Sequence, residues 1–321
     1  MIRNIFNIHK VVGLTIVLGV LSACDSAPKS DRTDTYSSGE ISFYCDESFS
    51  PIIDEEIQIF ELMYSQAKVN AVYTNENESV DSLMSLGTRL AITTRRLTAT
   101  EEQNLRDRTY NPRAIPLAYD GLALIVNNSN PDSCITIKDI KRILSGEAKE
   151  WKDIYPNSKL GALDVVFDNP ESSTVRFCVD SLLDGKPINS PNIEAVNKSE
   201  EVINYVSRHE NAIGVIGSNW LNDKRDTTNV TFKKEIKVMG VSKMETATPK
   251  NSWKPYQYYL YNGNYPLVRT IYALLNDPYN GLAWGFGQFI ASPKGQLIIF
   301  QSGLLPVQGN MTVRDVNVNR N

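Results

Sequence analysis

Apolar residues recur along this chain in two rhythms that take turns. Near-continuous apolar runs at residues 41–44, 69–73, 90–93, 163–167 and 213–216 read as buried strands. Between them the spacing lengthens to three and four. Ile53, Ile57 and Phe60 mark the buried stripe of a helix that opens with Pro51 at a favoured first position. The same period predicts helices over 80–86, 137–144 (ending at Gly146), 200–207, 281–290 and 295–302. Strands alternating with helices predict an α/β architecture. Two longer extended runs, 115–127 and 265–275, interrupt the alternation. They predict that the chain crosses twice between two lobes, so that one lobe is assembled from both ends of the chain. Ligands of open α/β sheets settle at the carboxyl ends of strands, where helices begin. A cleft between the lobes is therefore the expected site.

Residues 1–23 follow a different logic. Arg3 and Lys10 precede an apolar stretch from 11 to 21 that is shorter than the ~20 residues of a membrane span, and Leu21-Ser22-Ala23-Cys24 closes it. This reads as a secretion signal. Its ending resembles a bacterial lipoprotein signal, which implies that Cys24 is lipidated as the first mature residue and anchors the protein to a membrane through several acyl chains. An ordinary secretory signal with an incidental cysteine is the alternative. Residues 24–38, polar and rich in Ser, Asp and Thr, are expected to form a flexible tether. The folded part is expected in the bacterial cell envelope, on the periplasmic side, close to the membrane but not in it.

Charge narrows the partners. Residues 1–23 hold two of the 33 basic residues and none of the 37 acidic ones, so the remainder is two units more negative than the −4 of the whole chain. An acidic balance argues against nucleic-acid binding, yet it does not oppose a small anion, which is held by local dipoles. Cys45, Cys134 and Cys178 match no zinc-ligand spacing. A Cys45–Cys178 bridge is conceivable, and buried free thiols are the expectation. His209 is the one histidine after the signal, and no G-x-S-x-G elbow occurs, so a hydrolytic triad is excluded unless His209 serves. No cofactor and no metal are expected. Trp151 and Trp284 are expected in packing roles, and Trp253 with Tyr256, Tyr258, Tyr259 and Tyr261 as an interlobe or surface patch.

The densest chemistry lies in Asp168-Asn169-Pro170-Glu171-Ser172-Ser173-Thr174-Val175-Arg176. Three hydroxyls follow a turn and open a segment in which Val175, Val179 and Leu182 fall at helical spacing. Hydroxyls and free N–H groups at a helix start suit an anion, and Arg176 offers a planar fork of donors. A plain helix cap at Ser172 is the simpler account.

Four stretches then resemble the phosphate-type substrate-binding proteins of bacterial ABC importers. These are Asp120-Gly121-Leu122-Ala123-Leu124-Ile125-Val126-Asn127, Ile143-Leu144-Ser145-Gly146-Glu147-Ala148-Lys149-Glu150-Trp151, Asn211-Ala212-Ile213-Gly214-Val215-Ile216-Gly217, and Tyr265-Pro266-Leu267 with the later Phe289, Gly295-Gln296 and Gly303-Leu304-Leu305-Pro306. They span nearly the whole mature chain in the family's order. The resemblance implies a type II periplasmic-binding-protein clamp, an α/β fold of two lobes joined by two crossover strands. Lobe 1 is expected over 39–117 and 268–321 and lobe 2 over 118–267. It implies an oxyanion held by three loops: Ser48 and Phe49 at the start of the first helix, Thr94 and Arg95 after the third strand, and Ser172, Ser173 and Thr174, with Arg176 as a further contact.

The chain departs from the family at instructive places. Thr94-Arg95-Arg96 stands where tight phosphate binders carry an Asp, and Asp168 replaces the family's Arg four residues before the first hydroxyl. The resemblance thus suggests that an Arg–Asp pair has exchanged sides. Asn75-Glu76-Asn77-Glu78 replaces a Gly-rich loop, and Asp54, Glu55 and Glu56 in the first turns of the first helix are expected to compete with an anion. The functional expectation is a lipid-anchored, monomeric receptor, not an enzyme, that binds an inorganic oxyanion, phosphate first, for an ABC permease. A phosphoester hydrolase on the same clamp and an extracytoplasmic sensor are the alternatives.

Overall fold

The computed structural model describes residues 33–222 and 231–308; the signal, Cys24 and the tether to residue 32 lie outside the described residues. The chain runs β1 (Gly39–Asp46), α1 (Ser50–Met63), β2 (Ala67–Thr74), α2 (Glu76–Met84), β3 (Leu90–Thr93), α3 (Ala99–Asp107) and the long β4 (Arg113–Val126). Then follow β5 (Cys134–Thr136), α4 (Ile137–Leu144), β6 (Asp164–Phe167), α5 (Ser173–Phe177), β7 (Ile193–Ala195), α6 (Ser199–Arg208) and β8 (Ala212–Gly217). The last part holds β9 (Lys237–Val238), β10 (Gly240–Ser242), α7 (Gln257–Tyr261), β11 (Val268–Leu275), α8 (Leu282–Ala291), α9 (Pro293–Gln301) and β12 (Leu305–Pro306).

The main sheet has the order β2-β1-β3-β11-β4-β8-β6-β7. β1 pairs in parallel with β2 and β3, and β6 pairs in parallel with β7 and β8. Two antiparallel strands, β11 and β4, lie between these parallel blocks. β4 is the seam: its residues 113–121 pair with β11, and residues 122–126 pair with β8. The two extended runs of the sequence are thus the two crossover strands, and the fold is the α/β clamp that the sequence implied.

Each block is covered on both faces, as parallel strands require. In the first, Phe43, Phe60, Ile92, Ile271, Phe286 and Phe289 build one buried cluster, and Val80, Leu83, Ala91, Leu105 and Leu274 build another on the opposite face. The period of two continues in β4, which sends Leu122, Leu124 and Val126 into a core around Trp151 and Phe167, and Ala123 and Ile125 into a core with Val202 and Val206. Gly214 on β8 sits against that second helix face: a Cβ there would stand 2.8 Å from Val202 and Val206 methyls, closer than packing permits. The Trp151 indole donates to the carbonyl of Asn211 at 2.7 Å, tying the two stretches that resembled the family.

Cys45 and Cys178 are buried free thiols and Cys134 is a partly exposed one. Burial pushes the Cys178 thiol up to about 12, which leaves it inert. His209 ends α6 with its ring stacked on Tyr205 at 3.9 Å. Residues 35–38, the end of the expected tether, are folded: Thr35 bridges Ser38, and the Tyr36 carbonyl lies so close to Gly285 that no Cβ fits there. The Tyr256–Tyr261 segment forms the short helix α7, with Tyr256 stacked on Phe232 at 4.6 Å and Tyr258 and Tyr261 exposed.

Candidate functional site

Three strands, β1 and β3 of the first parallel block and β6 of the second, which runs the opposite way, end facing the same space. β1 ends at Asp46 and turns through Ser48 and Phe49; β3 runs out into Thr94; β6 delivers Asp168 just before the hydroxyl run. All of Asp46, Ser48, Phe49, Thr94, Asp168, Ser172, Ser173 and Thr174 are buried.

The hydroxyls close around Asp168. Ser172 Oγ donates to Asp168 Oδ1 at 2.7 Å, and Thr174 Oγ1 and Ser48 Oγ each reach Oδ2 at 3.1 Å. Ser199 Oγ lies 3.5 Å from the same oxygen. Ser48 Oγ also lies 2.6 Å from Asp46 Oδ1, and the other Asp46 oxygen accepts the backbone N–H of Ser173 at 3.1 Å. Glu47 accepts the N–H and hydroxyl of Ser199 at 3.0 and 2.8 Å. The Ser48 carbonyl takes Asn219 Nδ2 at 2.9 Å and Trp220 Nε1 at 2.8 Å. The bonds from Asp46, Glu47 and Ser48 to Asp168, Ser173, Ser199, Asn219 and Trp220 join the first parallel block to the second. Burial pushes the Asp46 carboxyl up, with Glu76 and Asp168 adding to the effect and Arg269 opposing it. Burial raises Glu47 too, against the bonds from Ser199. Ser172 is also the cap of α5, accepting the N–H of Val175 at 3.3 Å, so the plain capping role coexists with its bond to Asp168.

Arg269 is the residue that pattern reading passed over. It lies on β11 in direct register with Asp120 on β4, and its Nε donates to Asp120 Oδ2 at 2.9 Å. Nη1 donates to Ser173 Oγ at 2.7 Å and approaches Thr174 Oγ1 at 3.4 Å, while the Phe49 ring lies 4.9 Å beneath the guanidinium. The side chain is 2 % exposed, and Nη2 has no hydrogen-bond partner. Asp120 is held in turn by the N–H and hydroxyl of Ser218 at 2.9 and 2.8 Å. Gly217 leaves room for the pair, since a Cβ there would stand 3.0 Å from Asp120 Oδ2 and 3.1 Å from Arg269 Nη2. A signal existed: Asp120 and Arg269 are the single charged residues of the two extended runs, and they are opposite in sign.

Thr94 and Arg176 meet at Glu76. The Thr94 N–H and hydroxyl donate to Glu76 Oε1 at 2.7 and 2.9 Å; Arg176 pairs with Glu76 and sends Nη2 to Thr94 Oγ1 at 2.7 Å and Nη1 to Asp180 at 3.0 Å. Burial pushes Glu76 up, but the hydrogen bond and charge of Arg176 with the Thr94 bonds outweigh it and hold the carboxyl below its usual range. Arg95 goes elsewhere. Its guanidinium grips Glu101 through two bonds of 2.8 and 2.9 Å, within the capping box of α3. Arg95 and Asp168 therefore do not form an exchanged pair, because the fork of Glu101 satisfies Arg95 and the deeply buried guanidinium comes from β11. The acids of α1 are also placed away from the hydroxyls: Asp54 takes the Tyr73 hydroxyl at 2.5 Å, and Glu56 is buried with Glu55 as its charged neighbour.

A family model described as a PBP superfamily domain matches residues 30–294. The chain belongs to the PBP superfamily. Its relatives bear out the resemblance to phosphate-type receptors. The phosphate-binding protein PstS of Staphylococcus haemolyticus is 22% identical over 293 residues, covering 89% of this chain and 87% of the relative. Among solved PBP-type structures, a phosphate ABC transporter substrate-binding protein of Clostridium perfringens with bound phosphate superposes at a TM-score of 0.68, with 20% identity, over 84% of this chain and 100% of that one. An ABC-type phosphate transport receptor of Vibrio cholerae gives 0.62 at 21% identity, over 84% and 100%. These structural likenesses establish the PBP fold; the regulatory domain of a LysR-family regulator from N. meningitidis shares it at 0.51 and 14%.

Proposed function

We propose that this protein is an extracytoplasmic receptor that captures phosphate in the cleft between its lobes and delivers it to an ABC permease. In this reading Cys24 carries the lipid anchor, the receptor acts as a monomer, and capture needs no bond-making step. Ser48, Phe49, Ser172, Ser173 and Thr174 surround the anion, and Thr94 and Arg176 hold the lobes together at its edge.

The observation that carries the reading is the Arg269 guanidinium. A buried arginine with one uncommitted nitrogen, fixed by a carboxylate on one side and two hydroxyls on the other, is preorganised for an oxyanion. Its counter-charge, Asp120, is already saturated by Ser218. The phosphate-binding relatives support the same ligand.

Calorimetry of the purified full-length protein, freed of ligand by unfolding and refolding, tests it. Phosphate is expected to bind at micromolar or better, ~ −8 kcal/mol, and Arg269→Ala to weaken it at least ~100-fold, the loss of a charge-assisted fork. Silence of the folded wild-type protein toward phosphate would overturn the assignment.

A further inference from the structure

Each hydroxyl of the cleft owns one proton, and most of these protons are already committed. Ser172 gives its proton to Asp168 Oδ1 at 2.7 Å and Thr174 gives its own to Oδ2 at 3.1 Å. Ser48 divides between Asp46 and Asp168, at 2.6 and 3.1 Å, and Ser199 is taken by Glu47 at 2.8 Å. The Asn169 N–H also points at Asp168 Oδ1, at 3.0 Å. A carboxylate is itself an oxyanion, and this one sits in a ring of hydroxyl donors. The Arg269 fork reaches it only through the Thr174 hydroxyl. Ser173 Oγ, which accepts from Arg269, and the free Nη2 of Arg269 are the donors of this set without an acceptor.

We propose that Asp168 is an internal rival of the ligand, a carboxylate that occupies the hydroxyl cradle and sets how strongly any oxyanion is held there. The proposal rests on the oxyanion-receptor reading above and adds to it the residue that limits affinity. An incoming anion first meets Arg269 and Ser173, then takes over the protons of Ser172 and Thr174. It does so against a negative charge a few ångströms away, where repulsion in a buried site is strong. Asp168 therefore lowers affinity for phosphate and sulfate alike.

The test is calorimetric titration of inorganic phosphate and sulfate into the full-length wild-type protein and into Asp168→Asn, Asp168→Ala, Ser172→Ala and the Asp168→Asn/Ser172→Ala double variant. In Asp168→Asn the amide donates to hydroxyl oxygens and turns their protons toward the ligand, so phosphate is expected to bind at least tenfold more tightly. Ser172→Ala is expected to weaken phosphate in both backgrounds, and by a several-fold larger factor in the Asn background than in wild type, a non-additivity that a purely structural role would not produce. Should the Asn form melt far below wild type, Asp168→Ala carries the same expectation. Wild-type phosphate binding with unchanged or weaker binding in both folded Asp168 variants overturns the rivalry and leaves the receptor reading standing. Silence of wild type with binding by Asp168→Asn supports the rivalry while overturning the phosphate assignment of the wild-type protein, and silence of all forms overturns both.

Discussion

Glu56 offers the sharpest test of how this fold is held together. Its side chain lies on the inner face of α1 with Ile52, Ile53 and Phe60, fully buried, and neither carboxyl oxygen has a hydrogen-bond partner. Burial, with a smaller push from Glu55, raises its pKa from 4.5 to about 9. The folded protein therefore keeps Glu56 protonated at neutral pH, whereas the unfolded chain ionises it. Below pH 4.5 both states hold the proton and nothing is lost; as pH rises toward 9 the unfolded state gains, at about 1.4 kcal/mol per pH unit. At pH 7 this amounts to about 3 kcal/mol of lost stability. Glu56→Gln is neutral at every pH and removes the slope. Thermal melts of both proteins from pH 5 to pH 8 should show the gap widening in favour of the variant by about 4 kcal/mol, roughly 5 °C or more. The offset at pH 5 reports the cost of the amide alone. A gap that stays constant across that range would refute the buried, neutral carboxyl.

Other perturbations separate the arginines. Arg95→Ala is expected to leave phosphate affinity within threefold of wild type, because its fork is spent on Glu101. It should instead flatten the acid limb of stability. The Arg95 bonds hold Glu101 at about 2 against 4.5 unperturbed, so this stabilisation is present above 4.5 and lost as pH falls toward 2; circular dichroism through acid titration measures it. Arg176→Ala is expected to weaken phosphate more than tenfold, ~1.4 kcal/mol, since it deprives the buried Glu76 of its partner and removes a bond between the lobes. Calorimetry showing wild-type affinity in that variant would remove Arg176 from the site's support.

Much of this architecture was legible because it rests on local period. The core strands, the helix at Pro51 and the two crossovers all carry apolar patterns that survive burial on both faces. Helix α3 was not legible from periodicity, since Leu105 is its single buried residue; its mark was the Thr98–Glu101 capping box. Strands β5, β9 and β10 are two or three residues long, too short for any rhythm. The hydroxyl run was found because three such residues adjoin one another. Glu76 was missed because a polar Asn75-Glu76-Asn77-Glu78 stretch reads as loop, while its burial is decided by Arg176, a hundred residues away. Arg95 misled for the converse reason: its partner Glu101 is near in sequence and claims it first. Arg269 required knowing which residues of β4 and β11 stand opposite each other, and register between distant strands is a tertiary fact.

The Asp120–Arg269 pair lies on the two strands that any rotation of the lobes must bend. A group at a fulcrum travels little while the arms it joins sweep far. In the receptor reading proposed above, the guanidinium would meet an anion at nearly the same place whether the jaws stand apart or together, whereas Ser48 on one arm and Ser172 on the other would arrive only as they swing inward. Recognition of charge and enclosure are then successive events, the first belonging to the axle and the second to the arms. A lesion at Arg269 should abolish the encounter, while lesions in the hydroxyls should shorten the stay.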